Sequence, residues 1–105
     1  MEDKQQFVFY SQLPNATPED RREAVSEFIT RANYGMYIGN FEMDFNDGEV
    51  RFKTSIDVEG GELTDKMIKN ITYLNVLTMD RYLEGLNKVI FGGIDPATAI
   101  AEIEE

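Results

Sequence analysis

A chain of 105 residues has room for one compact core and is short for two, so a single domain over residues 1–105 is expected. Its 42% hydrophobic content argues against disorder, and twenty acidic against ten basic residues leave a formal net charge of -10, which repels phosphate backbones and makes nucleic acid a poor partner. With no Cys and no His, disulfides, Cys/His zinc sites, thiol nucleophiles and imidazole bases are excluded.

Met1 to Gln6 is polar and acidic, unlike the basic-then-apolar opening of a secretory signal, and no run approaches the roughly 18 consecutive apolar residues of a membrane helix. A cytoplasmic protein without a membrane partner is expected. Phe7 to Tyr10, bounded by Ser11 and Pro14, predicts a strand over residues 6–12. Thr17-Pro18-Glu19-Asp20 then places a capping hydroxyl, a proline and two acids where a helix begins. Val25, Phe28, Ile29 and Ala32 recur at spacings of three and four and form its inward stripe, and Gly35 is expected to end it in the left-handed conformation.

From Met36 to Val58 the apolar period becomes two, with Asn46-Asp47-Gly48 at the centre. A two-residue turn at Asp47-Gly48 sets Phe45 opposite Val50, Met43 opposite Phe52, Phe41 opposite Thr54 and Gly39 opposite Ile56. The other face then pairs Asp44 with Arg51 and Glu42 with Lys53, so the hairpin has one dry and one wet side. After Gly60-Gly61, Thr64-Asp65 caps a long helix that runs to about Phe91 before Gly92-Gly93. Met67, Ile71 and Leu74 cluster on one side of its wheel, while Tyr82, Leu83, Leu86, Val89 and Ile90 centre on a rotated stripe, so a bend or break near Thr78 is expected. Asp95-Pro96 caps a short last helix whose carboxyl-terminal acids, Glu102, Glu104 and Glu105, oppose the helix dipole and should fray it.

Candidate chemistry is sparse. Glu42, Asp44, Asp47 and Glu49 invite a metal or paired-carboxylate reading, but their spacing does not match a calcium loop, and a hairpin turn with a solvated edge accounts for them. No phosphate-loop string occurs, and no serine has a histidine partner. No catalytic residue, cofactor or metal ligand is therefore assigned, and the chain is read as a non-enzyme. Tyr73, Val76 and Leu77 form a second apolar stripe on the long helix, which either meets a protein partner or packs on the first strand or last helix. Asn33, Tyr34, Asn40, Asn75, Asp80 and Tyr82 either cap and bridge elements or contact a ligand; a pocket near Asn33, Tyr34, Asn40 and Tyr82 is the alternative, small-ligand reading.

The strings Arg31-Ala32-Asn33-Tyr34-Gly35, Gly39-Asn40-Phe41-Glu42 and Asp47-Gly48-Glu49-Val50-Arg51-Phe52-Lys53-Thr54-Ser55 follow one another in order. Asn75, Thr78-Met79-Asp80-Arg81-Tyr82 and Pro96-Ala97-Thr98-Ala99-Ile100 continue the series. Together they resemble the YbjN-domain family of bacteria, labelled sensory transduction regulators. The resemblance implies an α+β fold similar to type III secretion chaperones, with helices packed on one face of an antiparallel sheet, and a tendency to form homodimers. It implies no catalytic residues. The resulting expectation is a non-enzymatic regulatory or chaperone-like domain that binds another protein as a homodimer, with a small-ligand sensor as the alternative and a carboxylate-dependent enzyme as a third.

Overall fold

The computed structural model describes residues 5–104. Among them, β1 (Gln6–Gln12), β2 (Asn40–Met43) and β3 (Val50–Asp57) form an antiparallel sheet in the order β1-β3-β2. A short 3-10 turn leads into α1 (Arg22–Tyr34), and α2 (Asp65–Phe91) and α3 (Pro96–Glu104) follow the sheet. The fold is α+β. Helices cover one sheet face, where Phe41, Val50, Phe52 and Thr54 are buried, whereas Val8 and Tyr10 stand exposed on the other. No strand follows α2 among the described residues.

The hairpin keeps its faces and shifts its register by two residues. Phe41 lies opposite Phe52, Met43 opposite Val50, and Glu42 opposite Arg51. A shift of two preserves which side chains point inward, since alternation has a period of two. The cause lies in the turn, which takes up Asp44 to Glu49 rather than two residues. The Asp44 carboxylate accepts the Asn46 N–H at 2.8 Å, the Asp47 carboxylate accepts the Glu49 N–H at 2.9 Å, and the Gly48 N–H reaches the Asp44 carbonyl at 2.6 Å. These side-chain bonds to the local backbone favour a broad loop over a tight one. Phe45 is thereby left exposed, and Ile56 faces Phe7 of β1 instead of Gly39. Residues 36–38 fall outside the sheet.

The same loop explains the start of α1. Thr17 does not cap the helix, because its hydroxyl is buried without a hydrogen-bond partner. Its backbone is engaged instead: the Thr17 N–H donates to the Gly48 carbonyl at 2.7 Å, and Arg22 Nε donates to the Thr17 carbonyl at 3.0 Å. Gly48, at φ 82°, allows this approach, since a Cβ there would overlap the Thr17 carbonyl oxygen. At the other end of α1, Gly35 has φ -99° and is not left-handed; the Met36 N–H turns back to the Asn33 carbonyl at 3.0 Å.

α2 is one continuous helix of 27 residues, capped by the Thr64 hydroxyl, which accepts the Met67 N–H at 3.1 Å. The expected break is absent because Asn75 and Met79 are themselves buried and join the two apolar clusters into one stripe: Ile71, Asn75, Met79, Tyr82, Leu86 and Val89. The amino-terminal half of α2 packs on β1 and β3, and α1 and α3 close over the rest. Phe28, Phe52, Val25, Val50, Leu86 and Val89 are fully buried there, each worth roughly 1.5–3 kcal/mol of transfer free energy. The acids that should fray α3 are tied down: Glu102 accepts from Lys88 at 3.0 Å, and Glu104 accepts the Tyr82 hydroxyl at 2.8 Å. Glu105 lies outside the described residues.

Candidate functional site

The buried stripe of α2 fixes what the opposite side of the helix presents. Tyr73, Val76 and Leu77 are 65%, 48% and 49% exposed, although α2 packs on both β1 and α3. Neither element covers them. Single exposed apolar residues are ordinary on a soluble protein, but a stripe of three on a well-packed helix, beside further exposed apolar groups, marks a surface suited to association.

Those further groups come from the α1–β2 connection. Met36, Tyr37 and Ile38, which leave the sheet because β2 begins only at Asn40, face α2 across a cleft of about 490 Å³ that Leu74 and Thr78 also line. Tyr37 and Ile38 are exposed at its edge. Gly39, at φ 85°, turns the chain from this loop into β2; a Cβ there would come within 2.8 Å of the Lys53 carbonyl oxygen. The period-two pattern had absorbed residues 36–38 into the hairpin, and the glycine that separates them from it was the available signal.

The far end of the cleft is polar. Tyr82 lies edge-on to Phe28 and Phe41, at 6.3 and 5.6 Å between centroids, with its hydroxyl bonded to Glu104. Burial, together with that carboxylate, pushes the Tyr82 phenol up to about 12. The Arg81 guanidinium sits 5.2 Å from the Tyr82 ring centroid and completes this corner.

Of the four ligand candidates, Tyr82 alone lines the cleft. Asn33 bridges α1 to β2: its amide donates to the Phe41 carbonyl at 3.0 Å and its oxygen accepts the Phe41 N–H at 2.7 Å, as a neighbouring strand would. Asn40 donates to the Phe41 carbonyl at 3.2 Å, and Tyr34 projects almost wholly into solvent. Asp80 is exposed on the outer side of α2. Asn75, another polar residue of α2, is fully buried and bonded to β1 and β3.

The acidic hairpin residues are likewise occupied. Glu42 meets Arg51 at 2.8 Å and Lys53 at 3.0 Å. Burial raises its carboxyl, but the hydrogen bonds and charges of Lys53 and Arg51 outweigh that and hold it below the ordinary value. Asp44 and Asp47 brace the turn. Among the described residues no three acidic side chains are grouped closely enough to hold a metal ion, and no helix is long and apolar enough to cross a membrane.

No curated protein and no solved structure matches the chain. A family model described as "putative bacterial sensory transduction regulator" matches residues 1–88, which takes in the sheet, α1 and most of α2. On that match the chain belongs to the YbjN family.

Proposed function

We propose that the chain is a non-enzymatic regulatory domain that acts in the cytoplasm by binding protein, working as a homodimer and holding a partner segment in a chaperone-like manner. The observation that carries this reading is the exposed Tyr73, Val76 and Leu77 stripe beside the cleft edged by Tyr37 and Ile38. Membership of a family of regulators supports the regulatory part. Burying apolar side chains against this surface supplies affinity, while a net charge of -10 disfavours other acidic chains.

Light scattering across a wide concentration range tests the dimer: Leu77→Glu should shift the chain to monomer without unfolding it, since Leu77 is half exposed. Cross-linking in cells followed by mass spectrometry tests the partner, which should be lost in a Tyr37→Ser, Ile38→Ser variant. A strict monomer at high concentration and no defined cross-linked protein would sink the reading.

A small-ligand sensor is the second reading. It rests on the cleft, whose volume lies within the range of ligand sites of roughly 300–1,000 Å³ and whose polar corner combines Arg81, Tyr82 and Glu104. A thermal shift with one metabolite class, abolished by Arg81→Ala, is the outcome that favours it.

A further inference from the structure

The apolar stripe of α2 lies between charges of opposite sign. Lys69 precedes it and Asp80 and Glu84 follow it, all exposed and all on the wheel face that carries Tyr73, Val76 and Leu77. Among the described residues neither Lys69 nor Asp80 has an ion-pair partner, and Glu84 reaches Lys88 only at 3.7 Å. We propose, resting on the dimer reading above, that the occupant of this face is a second copy of the chain, docked with its α2 antiparallel about a two-fold axis at Val76–Leu77.

That axis sets Tyr73 opposite Asp80 of the second copy and Lys69 opposite Glu84 of the second copy, each contact occurring twice by symmetry. Lys69 and Glu84 lie at equal distances from the axis, about 11 Å along a helix rising about 1.5 Å per residue, so both ion pairs form in one register. A parallel arrangement sets Lys69 against Lys69 and Glu84 against Glu84, and repels. A uniformly basic peptide matches the Asp80–Glu84 end and clashes with Lys69. The pattern is therefore complementary to itself, and only when reversed. At a net charge of -10 two copies repel overall, so these local pairs select the orientation while the central apolar contact supplies the attraction.

Sedimentation equilibrium on the full chain separates the possibilities. Lys69→Glu and Glu84→Lys should each weaken the dimer on the order of tenfold, and the two together should restore it. The chain has no Cys, so Val76→Cys provides a single thiol beside the axis. Helices packed about 8–10 Å apart bring such thiols within bonding reach, and mild oxidation should link Val76→Cys into a covalent dimer and leave Glu84→Cys unlinked. If Leu77→Glu breaks the dimer while the charge swap restores nothing and Val76→Cys stays unlinked, the stripe pairs in another register and the inference is overturned while the dimer reading stands. A wild-type chain that never dimerises overturns both.

Discussion

The side-chain amide of Asn75 donates to the carbonyl oxygen of Phe52 at 3.0 Å, from the middle of α2 to the central strand of the sheet. The same nitrogen lies 3.0 Å from the Phe9 carbonyl of β1 and 3.1 Å from the Thr54 hydroxyl, and the Asn75 oxygen accepts from Ser11. Thr54 in turn donates to the Ile71 carbonyl at 3.1 Å. One buried amide thus joins a helix to two strands with its polar capacity satisfied, as a polar group in a dry core must be.

Replacing that amide by a hydrocarbon of similar size leaves the groups around it without a partner. Asn75→Leu should lower stability by about 2–4 kcal/mol in urea unfolding, despite its greater hydrophobicity. An unchanged midpoint would mean that the node contributes nothing net.

Thr17 should behave oppositely. Its hydroxyl is buried and unpaired, so Thr17→Val removes a desolvated group while keeping the branched shape. A gain of about 1 kcal/mol is expected, and a loss would show that the hydroxyl finds a partner in solution.

Gly48 joins the hairpin loop to the start of α1. Gly48→Ala combines a left-handed backbone with overlap on the Thr17 carbonyl and should cost more than about 2 kcal/mol. Gly60 has the same sign of φ and open space around it, so Gly60→Ala should cost less; equal losses in thermal melts would remove the steric part of the explanation.

Alkaline pH provides a further check. The Tyr82 phenol rises from its ordinary 10.0 to about 12 in the fold, because burial and the Glu104 carboxylate oppose the phenolate. Its contribution to stability is therefore intact below pH 10 and disappears between 10 and 12 as the unfolded chain ionises first. Wild-type stability should fall more steeply over that window than that of Tyr82→Phe, and parallel curves would refute the assignment.

Much of this fold was legible in the sequence because its periodicities are strong. β1, the stripe of α1, the Thr64 cap and the faces of the hairpin follow from alternation, helical spacing and capping chemistry. The failures have physical causes. Turn length was set by Asp44 and Asp47 bonding their own backbone, which a strand pattern does not encode. Asn75 is polar by type, so a helical wheel built on apolar residues does not show the continuity of the α2 stripe. The stripe of Tyr73, Val76 and Leu77 was visible, whereas its exposure depended on where β1 and α3 dock. The cleft depended on Gly39 ending the sheet earlier than the apolar pattern suggested.

The central position of β3 also orders the events of folding. Its partner β2 is close in sequence, while β1 pairs with it across the whole of α1 and β2, with Gln6 opposite Asp57. Loop-closure entropy favours the nearby pairing, so the hairpin should nucleate early and β1 arrive late. Until it does, Asn75 lacks the Phe9 and Ser11 contacts, and the amino-terminal strand acts as the final latch on the structure.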